Sequence, residues 1–377
     1  MSHLAGILAG KHFAQKDVPS LVGRKYIVTG GTNGIGLSAA RCLYSHGADV
    51  TIVGSQQSNA DAAIEYIRTG NLHAAPKDYQ DGFHGLLGEW KDDSADGGQE
   101  SGEVHAEVCD FRDLKAVAQL GKKLAERFSD RLDGLLANAG LGVNNFALTK
   151  DGYDAHLTIN CLAHVVLISH LLPVLEKTST QHPEADVRLV LQASEMHRTT
   201  FGGPSENFGG DKFRSTEEFK KDVGPQNLYA RTKLATILIM KKLVQQYIPP
   251  GSKILVHATH PGGVATDDLT SDLALLSRQT RQYPEAYGET VGNLIQAAVR
   301  PIMRSPDQGA LCILWAAVSP EARDNKYSNG TYFDDPAHEG GETKEASDQE
   351  LVDNFWNTGL EVIKEVAGPD SLGPFHA

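Results

Sequence analysis

The stretch that most limits what this chain can fold into runs from Lys25 to Tyr44. Lys25-Tyr-Ile-Val-Thr29 is a short apolar run compatible with a buried strand. Gly30-Gly-Thr-Asn-Gly-Ile-Gly36 is a glycine turn, and Leu37-Ser-Ala-Ala-Arg-Cys-Leu-Tyr44 has helical character. A strand that ends in glycines and feeds a helix places unpaired backbone N–H groups at the helix start, where they can receive an anion. Glycines at that turn let the backbone lie closer to the anion than a β-carbon would allow. Strand, turn and helix in this order form the context of a dinucleotide-binding loop. A turn of purely structural purpose is the plain alternative, and the strand before it and the helix after it tell against that.

The same alternation continues along the chain. Strands are expected at 49–53, 104–109, 132–137, 187–192, 254–257 and 329–333. Helices are expected at 59–69, 114–128, 154–176, around Tyr229, at 307–318 and at 347–367. This predicts an α/β fold: a single Rossmann-type doubly wound parallel sheet of about seven strands with helices on both faces, over one domain spanning 1–377. Residues 1–23 read as a lead-in, with a short helix laid on the surface. Residues 70–102 hold seven glycines and an acidic tail, and read as an exposed, partly mobile insertion onto which Phe83, Leu86, Leu87 and Trp90 could fold back. Residues 267–304 read as helices over a pocket, and 336–377 as a C-terminal extension.

Composition narrows the function classes. The chain has 377 residues, enough for a large core, and a net charge of -13, which argues against a nucleic-acid footprint because that needs a basic patch. No apolar run reaches the roughly 18 residues that a membrane span needs. Cys42, Cys109, Cys161 and Cys312 are scattered without a CxxC pair or metal-like spacing, and read as reduced, buried thiols of a cytosolic chain.

Two local patterns carry chemistry. Tyr229 and Lys233 stand four apart just before an apolar run, so a helix puts both on one face. A nearby ammonium favours the phenolate, which lowers the cost of using tyrosine as an acid or base. A tyrosine packed under a helix beside a solvated lysine is the plain alternative. At the end of the second strand, Ser55, Gln56 and Gln57 are neutral where a carboxylate would bond the adenosine ribose of NAD. This leans towards NADP(H), with NAD(H) left open because no arginine or lysine stands there to grip a 2′-phosphate.

Taken in order, Thr29 to Gly36, Asn138-Ala-Gly140, Ser194, Tyr229-x-x-x-Lys233 and Pro261-Gly262 with Thr266 resemble the short-chain dehydrogenases/reductases over about residues 24–335. The branch they look most like is that of the retinol-dehydrogenase-like and WW-domain-oxidoreductase-like members. Ser194-Glu-Met-His-Arg198, Leu228 to Lys233 and Tyr332 to Asp335 look like the fungal reductases of that branch.

The resemblance implies roles. Tyr229 is the general acid for carbonyl reduction and the base for the reverse. Lys233 lowers the tyrosine pKa and bonds the nicotinamide ribose, Ser194 polarises the carbonyl, and Asn160 holds a water linking Lys233 to solvent. Gly30, Thr32, Asn33, Gly34, Ile35 and Gly36 lie along the pyrophosphate, and Ser55 and Gln56 beside the adenosine ribose. Asp110 and Phe111 lie near the adenine, Asn138, Ala139 and Gly140 near the adenosine ribose, and Pro261, Gly262, Val264 and Thr266 on the nicotinamide side.

Two departures stand out: Ala137 replaces the first of the usual two asparagines, and 35 residues separate Ser194 from Tyr229. The reading is an NADP(H)-dependent oxidoreductase interconverting a hydrophobic aldehyde or ketone and its alcohol. An NAD-linked alcohol dehydrogenase acting oxidatively, a sugar epimerase or dehydratase, and a non-catalytic dinucleotide-binding redox sensor are the alternatives. The complete set of Asn160, Ser194, Tyr229 and Lys233 tells against the sensor. Apolar stretches Val165–Ile168 and Ile237–Ile239 are expected to face outwards and pair two copies as a homodimer, the plain alternative being that the N- and C-terminal segments cover both faces within the chain.

Overall fold

Seven of the apolar runs lie side by side because strands flanked by helices on both faces must be apolar throughout. A computed structural model of the chain describes residues 13–82, 102–198, 212–262 and 304–375, apart from residue 325. In chain order the elements that frame the site are β1 (Lys25–Thr29), α1 (Gly34–Ser45), β2 (Asp49–Gly54), α2 (Gln57–Thr69), α3 (Lys77–Gly82), β3 (Val104–Val108), α4 (Leu114–Arg127) and β4 (Gly134–Ala137). After these come α5 (Ala155–Gln181), β5 (Arg188–Gln192), α6 (Pro225–Lys242), β6 (Leu255–Thr259), α7 (Pro306–Val318), β7 (Tyr332–Asp335), β8 (His338–Glu339) and α8 (Gln349–Ala367).

The strands are ordered β3-β2-β1-β4-β5-β6-β7-β8. The first seven are parallel, and β8 adds to β7 antiparallel, so the sheet has eight strands where about seven were expected. The extra one is two residues long, too short for any periodicity to announce it. Between β1 and β4 the strand order reverses, and the crevice outside the strand ends at such a point is where ligands bind in open α/β sheets. Helices α1, α2 and α7 bury one face of the sheet around Leu37, Val50, Ile52 and Trp315. Helices α4, α5, α6 and α8 bury the other around Leu135, Leu167, Leu189, Leu238 and Phe355.

Local chemistry sets the helix ends. Asp113 caps α4 by accepting from Lys115 and Ala116 N–H, and Ser305 with Gln308 forms a reciprocal capping box before Pro306 at the start of α7. Helix α5 is apolar over most of its length, but it is buried as a core helix of a globular fold is.

Several expectations change. The described part of the lead-in holds a short helix, Gln15–Asp17, and is exposed at Lys16, Asp17, Ser20 and Val22, but it is anchored: Leu21 is fully buried, and Gln15 donates to Ser38 Oγ at 3.0 Å. Of the 70–102 insertion, 83–101 lies outside the described residues. Its start is anchored, with Tyr79 buried against Tyr66 at a ring separation of 5.2 Å. The 267–304 segment, apart from Arg304, also lies outside. Val165–Ile168 and Ile237–Ile239 are buried inside the chain and do not face outwards. Within the chain α5 packs along α4 and α6 packs along α8, with Lys242 donating to Asp353 at 2.7 Å, while Tyr153 just before α5 donates to Glu365 of α8 at 2.8 Å.

Candidate active site

The glycine turn joins β1 to α1 at the strand-order reversal. Gly30 has φ of +65°, and a β-carbon there would lie 2.9 Å from Ala139 Cα. At Gly36 an added β-carbon would lie 2.3 Å from Gly30 O, so the turn closes only around glycine. Asn33 caps α1 by accepting from Gly34 N–H at 2.9 Å, while Ile35 is buried beneath the turn. Thr32 is buried against Gly54 at the end of β2, where Ser55 and Gln56 are exposed. A backbone cradle at a helix N-terminus fits a dinucleotide pyrophosphate, and these are the residues that would hold it.

Beneath the turn runs a buried polar chain that the sequence did not reveal. Thr29 Oγ1 accepts from Asn138 N–H at 2.9 Å and Ala139 N–H at 3.0 Å, and Asn138 Nδ2 donates to Thr29 O at 3.0 Å. Thr29 Oγ1 lies 3.0 Å from His164 Nε2, and His164 Nδ1 lies 3.1 Å from Asn160 O. The carbonyl can only accept, so the proton sits on Nδ1 and the Thr29 hydroxyl donates to Nε2. Burial pushes His164 down to about 4, which keeps the ring neutral. Phe111 is buried with its ring edge-on to His164 at 5.5 Å, and the neighbouring Asp110 is held by Arg112 at 2.7 Å.

Asn160 sits in a π-turn, Thr158–Leu162, inside α5. Such turns are frequent at functional sites. Asn160 is buried, and its side chain is bonded through both its oxygen and its nitrogen. It accepts from Leu141 N–H at 2.7 Å and donates to Leu141 O at 3.0 Å and Thr232 Oγ1 at 2.9 Å. Thr232 in turn donates to Tyr229 O at 2.7 Å, so Asn160 is tied to the helix that carries the tyrosine. Gly140 lies against the Asn160 amide.

Pro225 at the first turn and eighteen helical residues of α6 put Tyr229 and Lys233 one above the other. Lys233 Nζ lies 5.3 Å from the Tyr229 ring centroid and donates to Gln192 O at 2.7 Å. Burial pushes the Lys233 ammonium down to about 8. Tyr229 is half-buried, whereas Lys233 is buried. Ser194 follows the end of β5, and the turn after it packs against α6. Ser194 Oγ accepts from Met196 N–H at 3.2 Å, which leaves its own proton to donate elsewhere.

The structure therefore gathers Asn160, Ser194, Tyr229 and Lys233 at the strand ends beside the cradle. Pro261 and Gly262 follow β6, with Arg304 against Gly262; Val264 and Thr266 lie outside the described residues. Sequence reading missed His164 and Thr232, although each stands within four residues of a residue it did single out. It also missed Asp154 and Arg231, a buried ion pair 2.8 Å apart that joins the start of α5 to the middle of α6. Among the described residues no group of His, Cys, Asp or Glu is placed to hold a metal ion.

Comparison with known proteins agrees with this geometry. A family model described as short chain dehydrogenase matches residues 90–182. The chain is 30% identical to the oxidoreductase bli-4 of Neurospora crassa, over 96% of this chain and 76% of that one. It is also 30% identical to the short-chain dehydrogenase/reductase drtF of Aspergillus calidoustus, over 92% and 96%. With the human WW domain-containing oxidoreductase it shares 26% identity over 97% and 72%. The fold matches an NAD(P) dependent gluconate 5-dehydrogenase of Beutenbergia cavernae, solved with bound NADP, at a TM-score of 0.53 and 20% identity, covering 84% of this chain and 95% of that one. A doubly wound sheet, a glycine cradle at its switch point and fungal relatives matched over most of their length lead to one assignment: the chain is an oxidoreductase of the short-chain dehydrogenase/reductase family.

Proposed function

We propose that the protein interconverts an aldehyde or ketone and its alcohol with NADP(H), using Tyr229 as the acid and base. The observation that carries this is the Tyr229–Lys233 pair on α6, with the ammonium 5.3 Å from the phenol ring and Ser194 on the neighbouring strand end. Bound NADP(H) supplies the hydride chemistry, and the chain supplies position and charge. Ser194 Oγ–H donates to the substrate oxygen, its acceptor side being taken by Met196 N–H. Tyr229 gives its phenolic proton to that same oxygen in reduction and takes it back in oxidation. Lys233 offsets the phenolate charge that this leaves, and Asn160 fixes the height of α6 through Thr232.

The test is the change in reduced-cofactor absorbance with a panel of aldehydes and ketones, from small and polar to large and apolar. Turnover with apolar members is the expected result. No turnover with any of them, in either direction, contradicts the reading.

NADPH is expected to bind more tightly than NADH. No carboxylate follows β2, and exposed Ser55 and Gln56 stand where one would repel a 2′-phosphate. The NADP in the Beutenbergia relative supports the same cofactor class. Titration of both by protein fluorescence checks this, and a lower dissociation constant for NADH contradicts it. Ser55→Asp is expected to turn preference towards NADH by setting a charge against the phosphate.

The apolar stretches of α5 and α6 are buried within the chain, α5 packing against α4 and α6 against α8, which supports a monomer. Light scattering is expected to give a single species of 40.6 kDa. A stable species of twice that mass contradicts this.

A further inference from the structure

We infer that His197 and His260 are positioning residues that grip the Ser194–Glu195 peptide from its two sides and so set where the Ser194 hydroxyl points. The inference rests on the reading of Ser194 as the group that touches the substrate oxygen.

Ser194 O accepts twice from His197, from the backbone N–H at 3.1 Å and from Nδ1 at 2.7 Å. Across the same peptide, Glu195 N–H donates to His260 Nδ1 at 3.2 Å. One peptide unit thus has its carbonyl held by one imidazole and its N–H by another. The two rings must carry their protons on different nitrogens. His197 has to bear its proton on Nδ1 to donate, and His260 has to leave Nδ1 bare to accept.

Both residues are anchored to β7: the His260 backbone N–H donates to Phe333 O at 2.8 Å, and the His197 ring stands edge-on to Tyr332 at 5.0 Å. Glu195 ties the turn to the same strand, accepting from Tyr332 Oη at 2.8 Å and from Arg198 Nε at 2.7 Å. The Ser194 turn is therefore fastened to β7 from three directions, although 35 residues of chain separate it from Tyr229.

A detail of His197 separates a clamp from mere packing. Among the described residues its buried Nε2 has no hydrogen-bond partner. An apolar ring would fill the same space without leaving that acceptor bare, so the imidazole is explained by what its Nδ1 does. The charged and titratable groups that face His260 are Glu195, Arg304, His197 and Lys233, and those facing His197 are Arg198, Glu195 and Glu342. Burial pushes both rings below their ordinary value, His260 to about 4, so both are neutral at pH 7. A protonated His260 would turn a donor towards the Glu195 N–H and open the clamp.

The test pairs an isosteric loss with a conservative rescue. His197→Phe and His260→Leu keep bulk and remove the hydrogen bond, whereas His197→Asn keeps a donor and His260→Asn keeps an acceptor at the same depth. With the best carbonyl of the panel, the apolar variants are expected to lose kcat by about 10–100-fold, as misplacement of a polarising group does. Their NADPH dissociation constants should stay near that of the wild type, and the Asn variants should recover most of the loss.

Ser194→Ala is the control. If it is damaging while His197→Phe and His260→Leu remain within about threefold of wild type, the clamp is overturned and the site reading stands. If Ser194→Ala is itself silent, the site reading fails and takes the clamp with it. Equal damage from Asn and apolar variants shows that ring packing is what matters, and also overturns the clamp. Imidazole ¹⁵N shifts of the wild-type protein, assigned with the Asn variants, give an answer that needs no turnover and survives a variant that fails to fold. His197 protonated on Nδ1 and His260 on Nε2 is the expected pattern, and any other pairing overturns the proposal.

Discussion

Tyr229→Phe is expected to lower kcat and kcat/KM together, by about 10²–10⁴-fold, the range seen for loss of a general acid. Only one oxygen is removed, from a half-buried ring, so the helix and the cradle keep their shape. The hydrogen bond from the Thr232 hydroxyl goes to the backbone carbonyl of Tyr229 and so remains. The loss therefore falls on the transition state. NADPH affinity is expected to stay within about twofold of wild type, because the pyrophosphate cradle is built from the 30–36 turn and the 138–140 strand end. Lys233→Met is expected to do harm of both kinds. It removes the buried ammonium beside the phenol and the group implied to bond the nicotinamide ribose. Steady-state kinetics with a fluorescence titration of each variant separates these patterns. A Lys233→Met protein with unchanged kcat and cofactor affinity contradicts the assignment.

Asp154→Ala is expected to lower the unfolding free energy by about 3–5 kcal/mol, because it strips a buried charge of its partner. Asp154 and Arg231 are both buried, and they meet at 2.8 Å. Arg231 also donates to Glu218 O and Lys221 O, so its head is enclosed by the loop before α6. Asp154 has a second task, accepting from His156 and Leu157 N–H to cap α5. Burial alone would raise the Asp154 carboxyl. The His156 contact and the Arg231 guanidinium outweigh it and hold the group below its ordinary value. A carboxyl held low stabilises the fold at pH values above its unfolded pKa, and that contribution is lost as pH falls through the folded value. The difference between wild type and Asp154→Ala is thus expected to be full at pH 7 and to shrink in acid. Urea unfolding of both proteins at pH 7 and at about pH 2.5, below the ordinary carboxylate value of about 3.9, measures it. A difference below about 1 kcal/mol at pH 7 contradicts a pair that holds α5 to α6.

How much of this was legible in the sequence depends on how local the cause is. The cradle could be read because strand, glycines and helix are contiguous and Gly30 and Gly36 have no substitute at their spacing. Tyr229 and Lys233 could be read because helical spacing alone stacks them. Asn160 could be named through the resemblance, but its setting could not, since the π-turn and the contacts to Leu141 and Thr232 come from other segments.

The apolar stretches on α5 and α6 were read as outward faces, and they are buried. Apolar periodicity tells which residues need cover but not what covers them: here α5 packs against α4, and α6 against α8 near the end of the chain. The Asp154–Arg231 pair spans 77 positions and His260 reaches back 65 to Glu195, so only the tertiary fold brings either together. Residues 1–23 were read as a lead-in with a short helix on the surface; within its described part, Leu21 and the Gln15–Ser38 bond reach the core's edge.

The central claim is that Tyr229 delivers the proton that accompanies hydride transfer. Its most direct test is a single turnover, in which wild-type and Tyr229→Phe proteins carrying bound NADPH are mixed with a carbonyl that the wild type accepts. Following the reduced-cofactor absorbance isolates the chemical step from binding and release. A rate for Tyr229→Phe slower by about 10²-fold or more, with the same amplitude of bound NADPH, is the predicted result. A rate within about threefold of wild type would contradict the account, because a ring that only packs under α6 loses nothing with its hydroxyl.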